Sequence, residues 1–169
     1  TAEWLRADGH DALAFHAGMD AGAKRDAHRR FARGDDVIMA ATIAFGMGID
    51  RPDVRWVAHL DLPRSPESWY QEIGRAGRDG LPARALLLFG AGDMAIARHR
   101  IAESPASEEQ KRVERSRLDA MIAIAEAATC RRALLLRCFG EEPASDDCGA
   151  CDVCRTPPRM FDGTVAAQK

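Results

Sequence analysis

The chain reads as an α/β domain with a mostly parallel sheet, followed by a small helical subdomain that carries cysteines. Two observations predict the first part: short continuous apolar runs, and helical patterns between them. The runs are Val37-Ile38-Met39-Ala40-Ala41, Trp56-Val57-Ala58-His59-Leu60 and Ala85-Leu86-Leu87-Leu88-Phe89, with Leu13-Ala14-Phe15-His16 reading as a short strand before them. Unbroken apolar runs of this length suit strands buried on both faces of a parallel sheet. One observation predicts the second part: all five cysteines lie between positions 130 and 154.

Thr1 to Asp8 reads as the end of a helix with Trp4 and Leu5 as its apolar residues, a pattern that suggests a piece of something longer. After the first strand, Asp20 to Arg33 forms a helix with a basic face, ended by Gly34. The run Val37 to Ala41 is the second strand and Trp56 to Leu60 the third. Ser65 to Arg78 is helical, with Ser65 or Ser68 able to cap it and Pro66 tolerated in the first turn. Ala85 to Phe89 is a further buried strand, followed by a helix near Asp93 to Ala102. The character changes after Pro105. Glu108 to Ala128 is a long helix with Val113, Leu118, Met121, Ile122 and Ile124 as buried candidates, and Cys130 to Phe139 is a second helix. Gly140 to Pro158 is turn-rich, and Asp162-Gly163-Thr164 marks a possible helix start. The division this suggests is 1–104, 105–158 and a linker over 159–169.

At 169 residues the chain can build one good core and a small accessory unit. It is 46% hydrophobic and 30% charged, as soluble globular proteins are. There is no apolar run of 18 residues and no basic-then-apolar leader, so no membrane partner is expected. A net charge of −2 argues against binding nucleic acid by bulk electrostatics, so any such contact must be local.

The most informative string is Gln71-Glu72-Ile73-Gly74-Arg75-Ala76-Gly77-Arg78-Asp79-Gly80. In a helix, Gln71, Arg75 and Arg78 share one face. Gly74 and Gly77 would each cost about 1 kcal/mol relative to alanine there, a cost that makes sense where the backbone must be approached closely. Arginine offers a rigid fork of donors that matches phosphate, so the string predicts an anion-facing surface. The competing reading is a surface helix with solvated arginines. A second string, Thr42-Ile43-Ala44-Phe45-Gly46-Met47-Gly48-Ile49-Asp50, follows a strand end, where open α/β sheets bind ligands. Gly46 and Gly48 would bring backbone N–H groups to a phosphate, and Asp50 would accept from a ribose hydroxyl or pair with an arginine. A plain glycine turn is the alternative. Phe15-His16-Ala17-Gly18-Met19 sits at another strand end, and Lys24, Arg25, His28, Arg29, Arg30 and Arg33 on the next helix are either phosphate contacts or a solvated face.

The cysteine spacing is Cys130-x17-Cys148-x2-Cys151-x2-Cys154. Thiolates this close compete for disulfide partners, and four of them suit a closed tetrahedral Zn²⁺ site in a reducing compartment. An Fe–S cluster is the rival for the same four thiolates. Cys138 reads as a small packed side chain on its helix.

The segments Cys130-Arg131-Arg132, Phe139-Gly140-Glu141 and Cys148-Gly149-Ala150-Cys151-Asp152-Val153-Cys154 together resemble the zinc-binding region of RecQ-family DNA helicases, most of all the bacterial members. Ala44-Phe45-Gly46-Met47-Gly48-Ile49 resembles motif V of superfamily 2 helicases, and Gly74-Arg75-Ala76-Gly77-Arg78-Asp79-Gly80 their motif VI. Position 138 departs, since the family often has an aromatic there. The resemblance implies an incomplete second RecA-like lobe followed by a helical platform and zinc subdomain, with a winged-helix domain after it. It implies Arg78 as an arginine finger with Arg75 as its partner, and Gln71, Gly48 and Asp50 in contact with ATP. Cys130, Cys148, Cys151 and Cys154 become structural zinc ligands. No P-loop string Gly-x4-Gly-Lys-Ser/Thr and no Asp-Glu-x-His string occurs, so the resemblance assigns them, with Mg²⁺ binding, to a first lobe, which becomes a partner. The implied parent is a cytoplasmic, nucleoid-associated 3′–5′ helicase of DNA repair and recombination, acting on single strands and duplex junctions. The present chain is expected to lack ATPase by itself. The alternative from another class is a non-enzymatic zinc-stabilised module for DNA or protein binding, and a weaker one is an RNA helicase.

Overall fold

The computed structural model describes residues 1–34, 36–42 and 51–159. The elements run α1 (Ala2–Ala7), β1 (Ala12–Phe15), α2 (Ala21–Arg33), β2 (Ile38–Ala41), β3 (Trp56–His59), α3 (Pro66–Ile73), β4 (Arg84–Leu87), α4 (Ala91–Ala102), α5 (Glu108–Glu126), α6 (Arg131–Cys138) and α7 (Asp152–Arg155). They form two compact units that interleave in the chain. The first unit holds Thr1–Trp56 and Gly74–Arg84; the second holds Val57–Ile73 and the chain from Ala85 onward.

In the first unit β1 and β2 pair in parallel, from Ala12 against Ile38 to Phe15 against Ala41. Helix α2 begins where expected because the Asp20 carboxylate accepts the Ala23 N–H at 2.9 Å, and Gly34 ends it. The buried residues Ala2, Ala12 and Ala27 come one each from α1, β1 and α2, so small side chains let these three elements close up. Trp4, one of the two large apolar residues of α1, is 73% exposed. The strand at 37–41 is half-buried rather than enclosed on both faces, and Ala41 is exposed.

The β3–β4 ladder is parallel as well: Arg84 N–H reaches Arg55 C=O and, four residues on, Leu88 N–H reaches His59 C=O. The apolar run around β4 alternates instead of burying both faces. Leu86 and Leu88 are half or more exposed, while Leu87 and Phe89 pack on the core. That core, in the second unit, joins Leu62 and Trp69 to Leu118, Met121, Ile122, Ile124, Ala125 and Leu135. Leu118, Met121, Ile122 and Ala125 fall at i, i+3, i+4 and i+7, the spacing of one helix face. Val113, expected in this stripe, is 44% exposed. Helix α5 starts with a reciprocal cap: Gln110 N–H donates to Ser107 Oγ at 3.3 Å, and Ser107 N–H donates to Gln110 Oε1 at 3.2 Å. Helix α3 is capped by Ser65, whose buried hydroxyl accepts the Ser68 N–H at 3.2 Å.

Candidate functional site

The turn-rich segment after α6 folds back so that all four spaced cysteines converge. The Sγ atoms of Cys130, Cys148, Cys151 and Cys154 lie within 4.8 Å of one another, with Cys148 and Cys154 4.0 Å apart. A tetrahedral Zn²⁺ with bonds of about 2.3 Å needs sulfurs roughly 3.8 Å apart. The set therefore closes on an ion with small side-chain shifts. Cys130 is the N-cap of α6 and Cys151 the N-cap of α7, so helix starts aim two of the sulfurs. Three sulfurs already accept backbone N–H groups: Ala133 on Cys130 at 3.5 Å, Cys151 on Cys148 at 3.3 Å and Cys154 on Cys151 at 3.4 Å. Such N–H···S bonds stabilise the thiolates that a metal requires. Burial raises the Cys130 thiol, but the Ala133 N–H and the thiols of Cys148 and Cys154 together bring it below its ordinary value. Burial and the neighbouring Asp147 carboxylate push Cys154 the other way. Gly149, at φ +62°, makes the knuckle turn between Cys148 and Cys151.

Arg131 ties this knuckle to the core helix. Its guanidinium grips both Asp152 carboxylate oxygens at 2.7 and 2.9 Å, and its Nη1 donates to the Ile124 and Ala125 carbonyls at 2.7 and 2.9 Å. The Arg131 fork thus covers the carbonyls of the last turn of α5, sharing that of Ile124 with the Ala127 N–H, and fixes the residue beside Cys151. Sequence reading named Arg131 only as part of a string; the helix end at Glu126, a few residues upstream, was the available signal. Cys138, expected to be packed, is exposed at the end of α6. Its helix turns Ala133 and Leu135 inward instead.

The arginine string is built differently from the helix that its spacing suggests. Helix α3 ends at Ile73, so Gln71 is helical and exposed while Arg75 and Arg78 lie in the turns that follow. The reason is Gly77, at φ +68°, outside the helical region. Its N–H, which a helix would direct to the Ile73 carbonyl, goes to Val54 C=O at 2.9 Å. The predicted common face of Gln71, Arg75 and Arg78 therefore does not form as a helix face. The inference that the backbone is closely approached does hold at Gly77. A Cβ there would meet Leu81 C=O at 2.9 Å and the Ala83 Cβ at 3.1 Å. Glu72 of the same string bonds His59 at the end of β3, Oε2 to Nε2 at 2.6 Å, a tie that sequence reading missed.

On α2, Arg30 grips Asp11 at 2.7 and 2.8 Å, Arg29 pairs with Asp26 at 2.6 Å, and Lys24 donates to Ala17 C=O at 2.8 Å. Lys24, Arg29 and Arg30 thus have internal partners. The loop candidates Gly48 and Asp50, with Gly46, lie outside the described residues, as does the possible helix start at Asp162.

Two family models cover most of the chain. The helicase conserved C-terminal domain matches residues 1–80, and the RecQ zinc-binding domain matches residues 91–155, which include all four convergent cysteines. The chain belongs to the RecQ family. An ATP-dependent DNA helicase RecQ of Haemophilus influenzae is 47% identical over 168 residues, 99% of this chain and 27% of that protein. That of Bacillus subtilis is 37% identical over 91% of this chain and 26% of its own length. The RecQ-like DNA helicase BLM of Xenopus laevis is 43% identical over 83% of the chain and 10% of its own length. The chain thus spans about a quarter of the bacterial RecQ relatives it matches. Among solved structures, the E. coli DEAD-box protein SrmB bound to the regulator RraA aligns at a TM-score of 0.50 and 33% identity, over 57% of this chain and 56% of that one. The α/β part is accordingly a RecA-like helicase lobe, and the helical part after it is a RecQ zinc-binding subdomain whose cofactor is structural Zn²⁺. No helix among the described residues is long and apolar enough to cross a membrane.

Proposed function

We propose that this chain forms the second-lobe half of an ATP-dependent 3′–5′ DNA helicase motor together with its structural zinc module. The observation that carries this reading is the presence in one chain of the Gly74–Gly80 arginine turn and the four-thiolate cluster. Cys130, Cys148, Cys151 and Cys154 ligate the zinc, which supplies folding energy and no chemistry. Its apparent binding free energy is on the order of 10 kcal/mol.

In the complete motor, ATP and Mg²⁺ bind against a first lobe. Arg78, with Arg75 beside it, reaches toward the γ-phosphate and neutralises charge that develops as the terminal phosphoryl group transfers to water. Gln71, Gly48 and Asp50 hold the nucleotide in register. Phe15 to Met19 and the basic face of α2 contact the phosphates of a single strand, so that opening and closing of the lobes moves the protein along it. Single strands and duplex junctions of cytoplasmic, nucleoid-associated DNA are the substrates, and repair and recombination the setting.

The testing experiment is Arg78→Ala in the complete motor, read by steady-state ATPase in the presence of single-stranded DNA. ATP affinity should change little, while kcat falls at least a hundredfold, since arginine fingers contribute about 10³–10⁵ to rate. Near-normal turnover would remove Arg78 from this role and favour a non-catalytic module.

A further inference from the structure

The turn that carries Arg75 and Arg78 is not part of a helix, so something else must fix its shape. Three attachments do so within the first compact unit, and all run to the four residues Pro52–Arg55. Gly77 N–H donates to Val54 C=O at 2.9 Å, and Asp79 N–H donates to Pro52 C=O at 3.1 Å. The third is the Asp79 carboxylate, which takes a charge-assisted bond from Arg55 Nη2.

Arg55 does more than pair with Asp79. Its Nε donates to Asp53 C=O at 2.9 Å and its Nη1 to Pro82 C=O at 3.2 Å. One guanidinium therefore holds the segment before β3, the turn itself and the chain leaving the turn. The Asp79 side chain is 24% exposed and that of Arg55 39%, so the pair is partly shielded from water. The other Asp79 oxygen accepts Leu81 N–H at 3.1 Å, which closes the turn from its far side. Asp79 is held below the ordinary carboxylate range chiefly by Arg55, consistent with a pair that is formed throughout the neutral range.

We infer that Arg55 and Asp79 are positioning residues, a guanidinium–carboxylate strut that presets the backbone from Gly74 to Gly80 so that its two arginines are presented in one arrangement. The inference rests on the proposed role of Arg78. Neither member of the pair touches the reacting groups in this view; both act through Arg78. A misplacement of about 1 Å in a reacting group costs on the order of a hundredfold in rate, so even a partial slackening of this turn is measurable.

The test uses the complete motor and five variants: Arg55→Ala, Arg55→Lys, Asp79→Asn, Arg78→Ala and the double Arg55→Ala/Arg78→Ala. The readouts are kcat and KM for ATP with saturating single-stranded DNA, and thermal unfolding. Arg55→Ala and Asp79→Asn should each lower kcat tenfold to a hundredfold with KM within about threefold, the split expected for an effect confined to the transition state. Arg55→Lys keeps the charge but cannot bridge three acceptors, so it should recover part of the loss. The double variant should be no slower than Arg78→Ala, because residues acting as a unit are not additive. Normal kcat in Asp79→Asn and Arg55→Ala, with Arg78→Ala impaired, overturns the strut and leaves the finger intact. Losses that multiply in the double variant also overturn it, since Arg55 would then act independently of Arg78. If Arg78→Ala itself turns over normally, the finger reading falls first, and the strut with it. Should Arg55→Ala unfold, Asp79→Asn decides alone, since it preserves side-chain shape.

Discussion

At position 77 glycine is required by both space and conformation. Its φ of +68° is strained for any residue with a Cβ, and the space is occupied by Leu81 C=O and the Ala83 Cβ. Gly77→Ala is expected to destabilise the first compact unit by about 1–3 kcal/mol, seen as a lower midpoint in urea unfolding. An unchanged midpoint would mean that the turn relaxes freely. Gly80, at φ +80° with open space around it, should pay only the conformational part of that penalty and so tolerate alanine better. At this scale the sequence says why glycine is there, a close approach to the backbone, but not what approaches; the structure puts the protein's own Leu81 carbonyl there. Nothing local to the string reveals that partner, because it depends on a turn closing four residues later.

At the scale of elements, helix starts are legible because capping is local chemistry: Ser65 caps α3 as expected, and the helix expected from Asp20 starts there, with the Asp20 carboxylate as its cap. The Ser107–Gln110 cap, with its S-x-x-Q pattern, is equally local. Helix α3 ends at Ile73, short of the expected Arg78, because Gly77 takes the left-handed turn that glycine permits and leaves the helix. Strand burial was overstated because an apolar run does not say which side of a ladder is covered. The cysteine module was the most legible element, since metal geometry constrains spacing directly. Its support by Arg131 was not, because Asp152 and the carbonyls of α5 meet only in the fold. Arg131→Ala should keep the four thiolates yet weaken zinc retention by about tenfold to a hundredfold, read as faster transfer of zinc to a colorimetric chelator. Cys151→Ser, which removes a ligand, should purify with well under one zinc per chain. If Arg131→Ala holds zinc as tightly as the unaltered chain, the guanidinium serves α5 and not the metal.

For the whole molecule, the depressed carboxylates set a common direction of response to acid. Asp53 is lowered chiefly by Arg51, Asp79 by Arg55, Glu67 by the Ser65 hydroxyl and Asp152 by Arg131. Each has a folded pKa below its unfolded value of about 4, so each contributes stability that is present above pH 4 and lost as pH falls through the folded value. Asp53 and Asp79 lie in the first unit, Glu67 and Asp152 in the second, so both units should weaken in the same acid window. Zinc adds a second acid-sensitive term, because protons compete with the metal for thiolate sulfur. The two can be separated. Urea midpoints measured from pH 7 to pH 3 should stay nearly flat to about pH 5 and then fall. In Asp79→Asn, which cannot change charge at that position, the fall should be shallower, while zinc release followed in parallel keeps the same pH midpoint as in the unaltered chain. A slope unaltered in Asp79→Asn would show that the Arg55–Asp79 strut contributes little to the folded state's net stability. It would then act, if at all, only on how the turn presents its arginines, which is the property the kinetic variants measure and the unfolding curve does not.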